Sequence, residues 1–207
     1  MDDDLLLYSN PASRGRIARW MLEETGRPYR VETLDYKTMK APSYLAINPM
    51  GKVPALLHGG TLVTETAAIC AYLADAFPEA GLAPAVGDRL RGPYLRWLFF
   101  GAGPIEAAVT NKALGVVVPE GRDRMAGYGS LEAVLDTLEQ AIDRSEHLVG
   151  DRFTAADLYV GAQLIFGLAF KTIEARPAFA RKAERLRERP AWIRASALDD
   201  AALPRES

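Results

Sequence analysis

The residues of this 207-residue chain whose types and spacing suit chemistry lie between Asn48 and Tyr72. Val53-Pro54 opens a short apolar run, Ala55-Leu56-Leu57. A proline there has no N–H for a sheet ladder, and it forces Val53 into an extended conformation. If the bond is cis, the amide and carbonyl of Val53 turn out of the sheet, where an extended peptide can pair with them as a further strand. Farther on, Thr64-Glu65-Thr66 ends a second strand and begins an apolar helix. The first N–H groups of a helix lack intrahelical partners and attract anions. A strand-like edge, an anion-binding helix start and a carboxylate in one short unit suit a ligand that is itself a small, charged peptide.

These residues need a scaffold, and the flanking sequence supplies one. Gly59-Gly60 between two short apolar runs is a two-residue hairpin signal. Upstream, Leu5-Leu6-Leu7-Tyr8 is a continuous apolar run, as in a strand buried on both faces. Ser9 to Gly15 is a loop broken by Pro11, and Ile17, Trp20 and Met21 follow at helical spacing until Gly26 and Pro28. Tyr29 to Leu34 reads as a second strand, parallel to the first through a right-handed crossover. Lys37 to Ile47 is polar and irregular, with one helical turn near its end. With the hairpin and a helix over 66–77, the order is β-α-β-β-α, the thioredoxin-like one. Pro78 to Gly87 reads as a linker. The first domain is thus 1–79, α/β, and the second 88–207, an all-α helical bundle. In the second, a long helix over 89–112 bends at Gly101-Ala102-Gly103-Pro104. Ser130 caps the next helix. Thr154-Ala155-Ala156-Asp157 is a capping box opening a helix apolar on all sides, which therefore belongs in the bundle centre. The last residues are expected to fray.

The string Asn48-Pro49-Met50-Gly51-Lys52-Val53-Pro54, with Glu65-Thr66, resembles the glutathione-binding unit of the glutathione S-transferase family, cytosolic and of bacterial type. The Thr154/Asp157 helix after Gly150-Asp151-Arg152-Phe153 is similar to the capped core helix of that family, so the resemblance covers nearly the whole chain. It implies that Val53, before cis-Pro54, pairs with the cysteinyl backbone of glutathione. Glu65 and Thr66 hold the γ-glutamyl end, Thr66 standing where serine is commoner, and Lys52 meets the glycyl carboxylate. The thiol-activating residue is expected between Tyr8 and Gly15, where Tyr8, Ser9, Asn10 and Ser13 are available with Arg14 and Arg16 behind them. Ser13 lies at the helix start, where serine-type members place their hydroxyl. Tyr8 matches the tyrosine-type members, and Arg14 then falls where they carry an assisting arginine. Ser13 is the first choice and Tyr8 the second, with Ser9 and Asn10 behind; the loop has no cysteine, which argues against cysteine chemistry.

The resemblance implies attack of glutathione thiolate on a small hydrophobic electrophile, with glutathione as co-substrate. Two alternatives remain open on the same fold: a glutathione-dependent peroxidase or disulfide reductase, and a non-catalytic binding or interaction module. A homodimer is expected, because the family is usually dimeric and Trp97, Phe99 and Phe100 offer more apolar surface than one bundle needs. A formal charge of −2 gives no reason to expect nucleic acid or an anionic membrane surface. No apolar run reaches the roughly 18 residues of a membrane span. The single cysteine, Cys70, rules out an intramolecular disulfide and reads as a small core residue. With the acidic start Met1-Asp2-Asp3-Asp4, unlike a secretory signal, it points to the cytoplasm. No His, Cys or carboxylate cluster has metal-ligand spacing, and His58 and His147 are expected in solvent.

Overall fold

The computed structural model describes residues 4–203. They form two compact units: one holds the described residues up to Gly81 together with those from Glu188 onward, the other runs Leu82–Arg187.

The first unit is built on a four-stranded sheet of β1 (Leu5–Ser9), β2 (Arg30–Thr33), β3 (Ala55–His58) and β4 (Thr61–Thr64), in the order β2-β1-β3-β4. β1 and β2 are parallel, joined through α1 (Gly15–Thr25). The β1–β3 and β3–β4 pairs are antiparallel. Gly59 and Gly60 have φ of 51° and 85°, so the hairpin turn takes two left-handed residues in succession, as a type I′ turn requires. A short helix α2 (Pro42–Leu45), preceded by a 3-10 turn at Thr38–Lys40, crosses the region read as irregular. The α3 helix (Thr66–Ala76) follows the hairpin. Alternation along β1 sends Leu5 and Leu7, both buried, to one face, and the strand packs with α1. Leu6 and Tyr8 go to the other, where Tyr8 joins Leu34, Met39, Tyr44 and Ala55.

Sequence alone grouped everything from 88 to 207 in one helical domain. Instead the last described helix packs on α1 in the first unit. The physical reason is charge order. The amino-terminal half of α1 carries Arg16 and Arg19, and its carboxy-terminal half Glu23 and Glu24; the closing segment reads Arg189, Arg194, then Asp199 and Asp200. Laid antiparallel, the two match: Arg16–Asp200 at 2.6 Å, Arg19–Asp199 at 2.8 Å, Arg194–Glu23 at 2.9 Å and Arg189–Glu24 at 2.6 Å. Trp20 and Trp192 meet edge to face between them, with ring centres 4.8 Å apart.

The second unit contains α4 (Arg91–Phe100), α5 (Glu106–Ala113), α6 (Leu131–Arg144), α7 (Ala155–Ala169) and α8 (Pro177–Arg187). The bend expected at Gly101–Pro104 is a π-helical turn over Gly101–Ile105. Ser130 caps α6, its hydroxyl accepting the Ala133 N–H at 3.1 Å. α7 is the buried helix anticipated. Its Asp157 is fully buried, accepts the Thr154 and Leu148 N–H groups at 3.2 and 2.9 Å, and pairs with Lys182 at 3.2 Å. The last helix, α9 (Pro190–Ala201), is the one that returns to α1. The fraying expected at the carboxy terminus falls on residues 204–207, outside those described.

Candidate functional site

Three segments converge at one end of the sheet. Tyr8 pairs with Ala55, and Ala55 with Thr64. Carried one residue farther, the same registers bring Ser9, Pro54 and Glu65 into one row across β1, β3 and β4. The loop after β1, the Val53-Pro54 peptide and the start of α3 therefore share an edge.

The middle segment is held from below. Val53-Pro54 is cis, and the paired part of β3 begins only at Ala55. The carbonyl of Lys52 accepts the Tyr44 hydroxyl at 2.7 Å and the Asn48 side-chain amide at 2.8 Å. Asn48 also accepts the Met50 N–H at 3.1 Å, and its carbonyl takes the Gly51 N–H at 2.8 Å. Gly51 has φ of 56°, and a β-carbon there would lie 2.7 Å from the Met39 carbonyl oxygen, so only glycine fits this turn. Val53 packs half-buried against the Tyr8–Tyr44 cluster, while Lys52 is exposed. Tyr44 and Asn48 were missed as site residues; the only sequence signal was an Asn four residues before Lys52, at the spacing of a tight loop.

The α3 start carries a backbone irregularity that no sequence pattern announced. Glu65 has φ of 64° and ψ of 119°. A non-glycine residue held there costs about 1–3 kcal/mol, and such strain persists where the surroundings over-determine it. Glu65 is exposed and its side chain does not cap the helix. Thr66 beside it is largely buried. Glu65 thus stands at the positive end of an 11-residue helix.

The loop after β1 sorts its four candidates. Asn10 fastens it: the side-chain amide donates to the Leu34 carbonyl at 2.7 Å and its oxygen accepts the Ala12 N–H at 2.8 Å. Ser13 sits at the start of α1. Its hydroxyl donates to the Asn10 carbonyl at 2.7 Å and accepts the Gly15 N–H at 3.0 Å. Arg14, next along, is exposed. Ser9 is buried, and its Oγ has no hydrogen-bond partner. Tyr8 is committed to the apolar cluster, its ring centre 5.6 Å from that of Tyr44. Burial, reinforced by Glu32 beside it and only partly offset by Arg30, holds its phenol above the ordinary tyrosine value.

The remaining titratable groups lie elsewhere. His58 is not in solvent: its Nδ1 is 2.9 Å from the Tyr72 hydroxyl and its ring leans on Phe77. An aromatic partner one helix turn before the end of α3 draws it in. His147 is likewise mostly covered, 4.0 Å from Asp157, because the buried carboxylate recruits the polar groups around it. Cys70 is fully buried, and burial pushes its thiol far above the ordinary range. Among the described residues, no group of three or more His, Cys, Asp or Glu is arranged to hold a metal ion. No helix among them is long and apolar enough to cross a membrane.

Comparison with known proteins bears on this arrangement. The family described as "Glutathione S-transferase, N-terminal domain" matches residues 13–76. The glutathione S-transferase GstA of Escherichia coli O157:H7 is 30% identical over 189 residues, 89% of this chain and 93% of that protein. The crystal structure of a glutathione transferase from Methylococcus capsulatus superposes with a TM-score of 0.80 at 31% identity, over 95% of this chain and 99% of the other. A glutathione transferase of Phanerochaete chrysosporium, solved in complex with oxidized glutathione, superposes with a TM-score of 0.81 at 27% identity, over 96% and 97% of the two chains.

Proposed function

The chain belongs to the glutathione S-transferase family, and we propose that it uses the edge where the loop after β1, the Val53-Pro54 peptide and the start of α3 meet to bind glutathione and turn its thiolate on a small hydrophobic electrophile. The observation that carries the reading is that the head of β3, Glu65 at a helix start and the hydroxyl-bearing loop after β1 come together at one end of one sheet. Each meets a different part of the tripeptide. Val53 pairs through its backbone with the cysteinyl residue. Glu65 and Thr66 hold the γ-glutamyl end, the carboxylate taking its ammonium and the helix start its carboxylate. Lys52 lies toward the glycyl carboxylate. The relative from Phanerochaete chrysosporium, solved with oxidized glutathione, supports the choice of ligand.

Conjugation needs the thiolate, and a free thiol has a pKa of about 8.5. Lowering it by about two units takes roughly 2.7 kcal/mol of preferential stabilisation of the anion. One hydroxyl donor and a helix amino terminus are of that order together. Ser13 fits the role better than Tyr8, which is buried in the sheet-face cluster. A serine hydroxyl has one proton to give. That proton goes to the Asn10 carbonyl, so donating to sulfur means exchanging this bond for one to the thiolate, while the Gly15 N–H continues to hold the oxygen. Arg14, next in sequence, adds positive charge to the loop. With Cys70 sealed in the core, no protein thiol is offered for a disulfide-exchange cycle.

The α4 helix supports a homodimer. Leu95 and Phe99 share a face, one turn apart, and are 39% and 72% exposed, while Trp97 turns into the core. Glutathione use and one buried cysteine fit a cytoplasmic setting. Calorimetric titration with glutathione, followed by turnover with an aryl halide, tests the central reading. Micromolar-to-millimolar binding with turnover supports it; no binding refutes it, and binding without turnover leaves a glutathione-holding module in its place.

A further inference from the structure

Ser9 presents an oddity in the site. Its hydroxyl is buried, with the residue 1% exposed, yet the oxygen bonds to nothing. An orphaned buried hydroxyl is destabilising, so hydrogen bonding does not explain why the oxygen is there. What it touches does. A β-carbon built on Gly15 would lie 2.0 Å from Ser9 Oγ, 3.1 Å from Ser9 Cβ and 3.1 Å from Ser13 Oγ. The serine oxygen therefore occupies the space that any side chain at position 15 would need. Gly15 is also the residue whose N–H holds the Ser13 hydroxyl, at 3.0 Å.

We propose that Ser9 and Gly15 form a size-complementary pair that positions the Ser13 hydroxyl for the thiol, with Ser9 acting as a positioning residue by volume and not by hydrogen bonding. This rests on the reading of Ser13 as the thiolate donor. The chain of contacts is short. Ser9 ends β1, where its own carbonyl accepts the Leu34 N–H at 2.8 Å, so it is anchored to the sheet. Its oxygen abuts the bare Cα side of Gly15, which sets how closely the first turn of α1 approaches the strand end. The Gly15 N–H then sets where Ser13 Oγ lies. A hydroxyl displaced by a few tenths of an ångström loses alignment with an acceptor whose position is fixed independently by Val53 and Glu65.

The pair predicts reciprocity. In Gly15→Ala the new methyl collides with Ser9 Oγ and crowds Ser13 Oγ, and close packing leaves the first turn nowhere to go but outward. In the double variant Ser9→Gly with Gly15→Ala the volume has moved from one partner to the other, and the turn returns. The experiment compares wild type, Gly15→Ala, the double variant and Ser13→Ala. Three measurements are made on each: the pH dependence of the ultraviolet absorbance of bound glutathione thiolate, glutathione affinity by calorimetry, and amide hydrogen exchange at position 15.

Gly15→Ala is expected to raise the apparent thiol pKa by about one unit, which from about 6.5 leaves roughly threefold less thiolate at neutral pH. Glutathione affinity measured near pH 5.5, where the thiol is bound neutral in both proteins, should change by less than about twofold, since the peptide arms are untouched, and exchange at position 15 should accelerate. The double variant should recover the wild-type thiol pKa and the protected amide. If Gly15→Ala alone does not fold, the double variant still should, with wild-type titration; failure of both overturns the proposal. So does a Gly15→Ala protein with unaltered titration and exchange, or a double variant that keeps the shift. Ser13→Ala judges the underlying reading separately. If it leaves the thiol pKa unmoved, Ser13 is not the donor, whereas recovered protection at position 15 in the double variant would still report the steric pair.

Discussion

Replacing Glu65 separates the strain of its backbone from the work of its carboxylate. Glu65 sits at φ 64°, ψ 119°, a conformation that penalises any residue with a β-carbon. Glu65→Ala keeps the β-carbon and loses the carboxylate; Glu65→Gly loses both. A charge-assisted contact to a ligand is worth roughly 1.5–3 kcal/mol, so both variants should bind glutathione more than tenfold more weakly. Their stabilities should part. Relief of strain is worth about 1–3 kcal/mol, and the extra freedom of glycine in the unfolded chain returns about 0.5–1 kcal/mol of it. Glu65→Gly should therefore be more stable than Glu65→Ala by about 1 kcal/mol, with wild type close to the alanine variant because the exposed side chain does not cap the helix. For a chain of this size the difference is roughly 2–4 °C in melting temperature. Thermal unfolding monitored by circular dichroism, beside calorimetric titration with glutathione, reads both quantities. A glycine variant less stable than the alanine variant would refute the strain argument. Unchanged affinity in both would mean that the carboxylate has been given the wrong role, whatever the stability.

Three further outcomes are expected. Ser13→Ala should raise the pKa of bound glutathione and lower conjugation at neutral pH while affinity changes little; Tyr8→Phe should leave the pH–rate profile near neutrality unchanged, because burial holds that phenol above its ordinary value. A Tyr8→Phe protein without thiolate absorbance would pass the assignment to the tyrosine. Arg19→Ala should destabilise by about 3–5 kcal/mol, since it leaves Asp199, 1% exposed, without its direct cationic partner, whereas Arg194→Ala, from a half-exposed pair, should cost about 1 kcal/mol or less. Burial already raises the Asp199 carboxyl above its ordinary value despite Arg19. A raised folded-state value makes its contribution most favourable below the unfolded carboxylate pKa and less so as pH rises through the folded one. Denaturant melts of Arg19→Ala should therefore show the smallest deficit in acid, and a deficit independent of pH would contradict the burial of that charge. Cys70 should resist thiol reagents in the native protein and react only as the chain unfolds; rapid labelling under native conditions would show that the α3 core opens.

What the sequence by itself determined is local. The hairpin turn at Gly59-Gly60, the order β-α-β-β-α, the proline at the head of β3 and the Thr154/Asp157 cap each depend on residues a few positions apart, and short-range sterics and hydrogen bonding decide them wherever they occur. The Gly101–Pro104 bend was legible for the same reason, since an imino acid without an N–H interrupts a helix whatever surrounds it. The tertiary structure decided what depends on distant partners. The closing helix left the domain to which sequence order assigned it because the complementary charges lie on α1, between 165 and 184 residues away. Tyr8 and Ser9 are adjacent and both polar, yet the pleat sends Tyr8 into an apolar cluster and leaves Ser9 buried against Gly15. Glu65 takes a left-handed backbone that its residue type disfavours, and His58 is drawn from solvent by Tyr72. In each case the preference of the residue alone is worth a kilocalorie or so, and a three-dimensional neighbourhood of several contacts outweighs it.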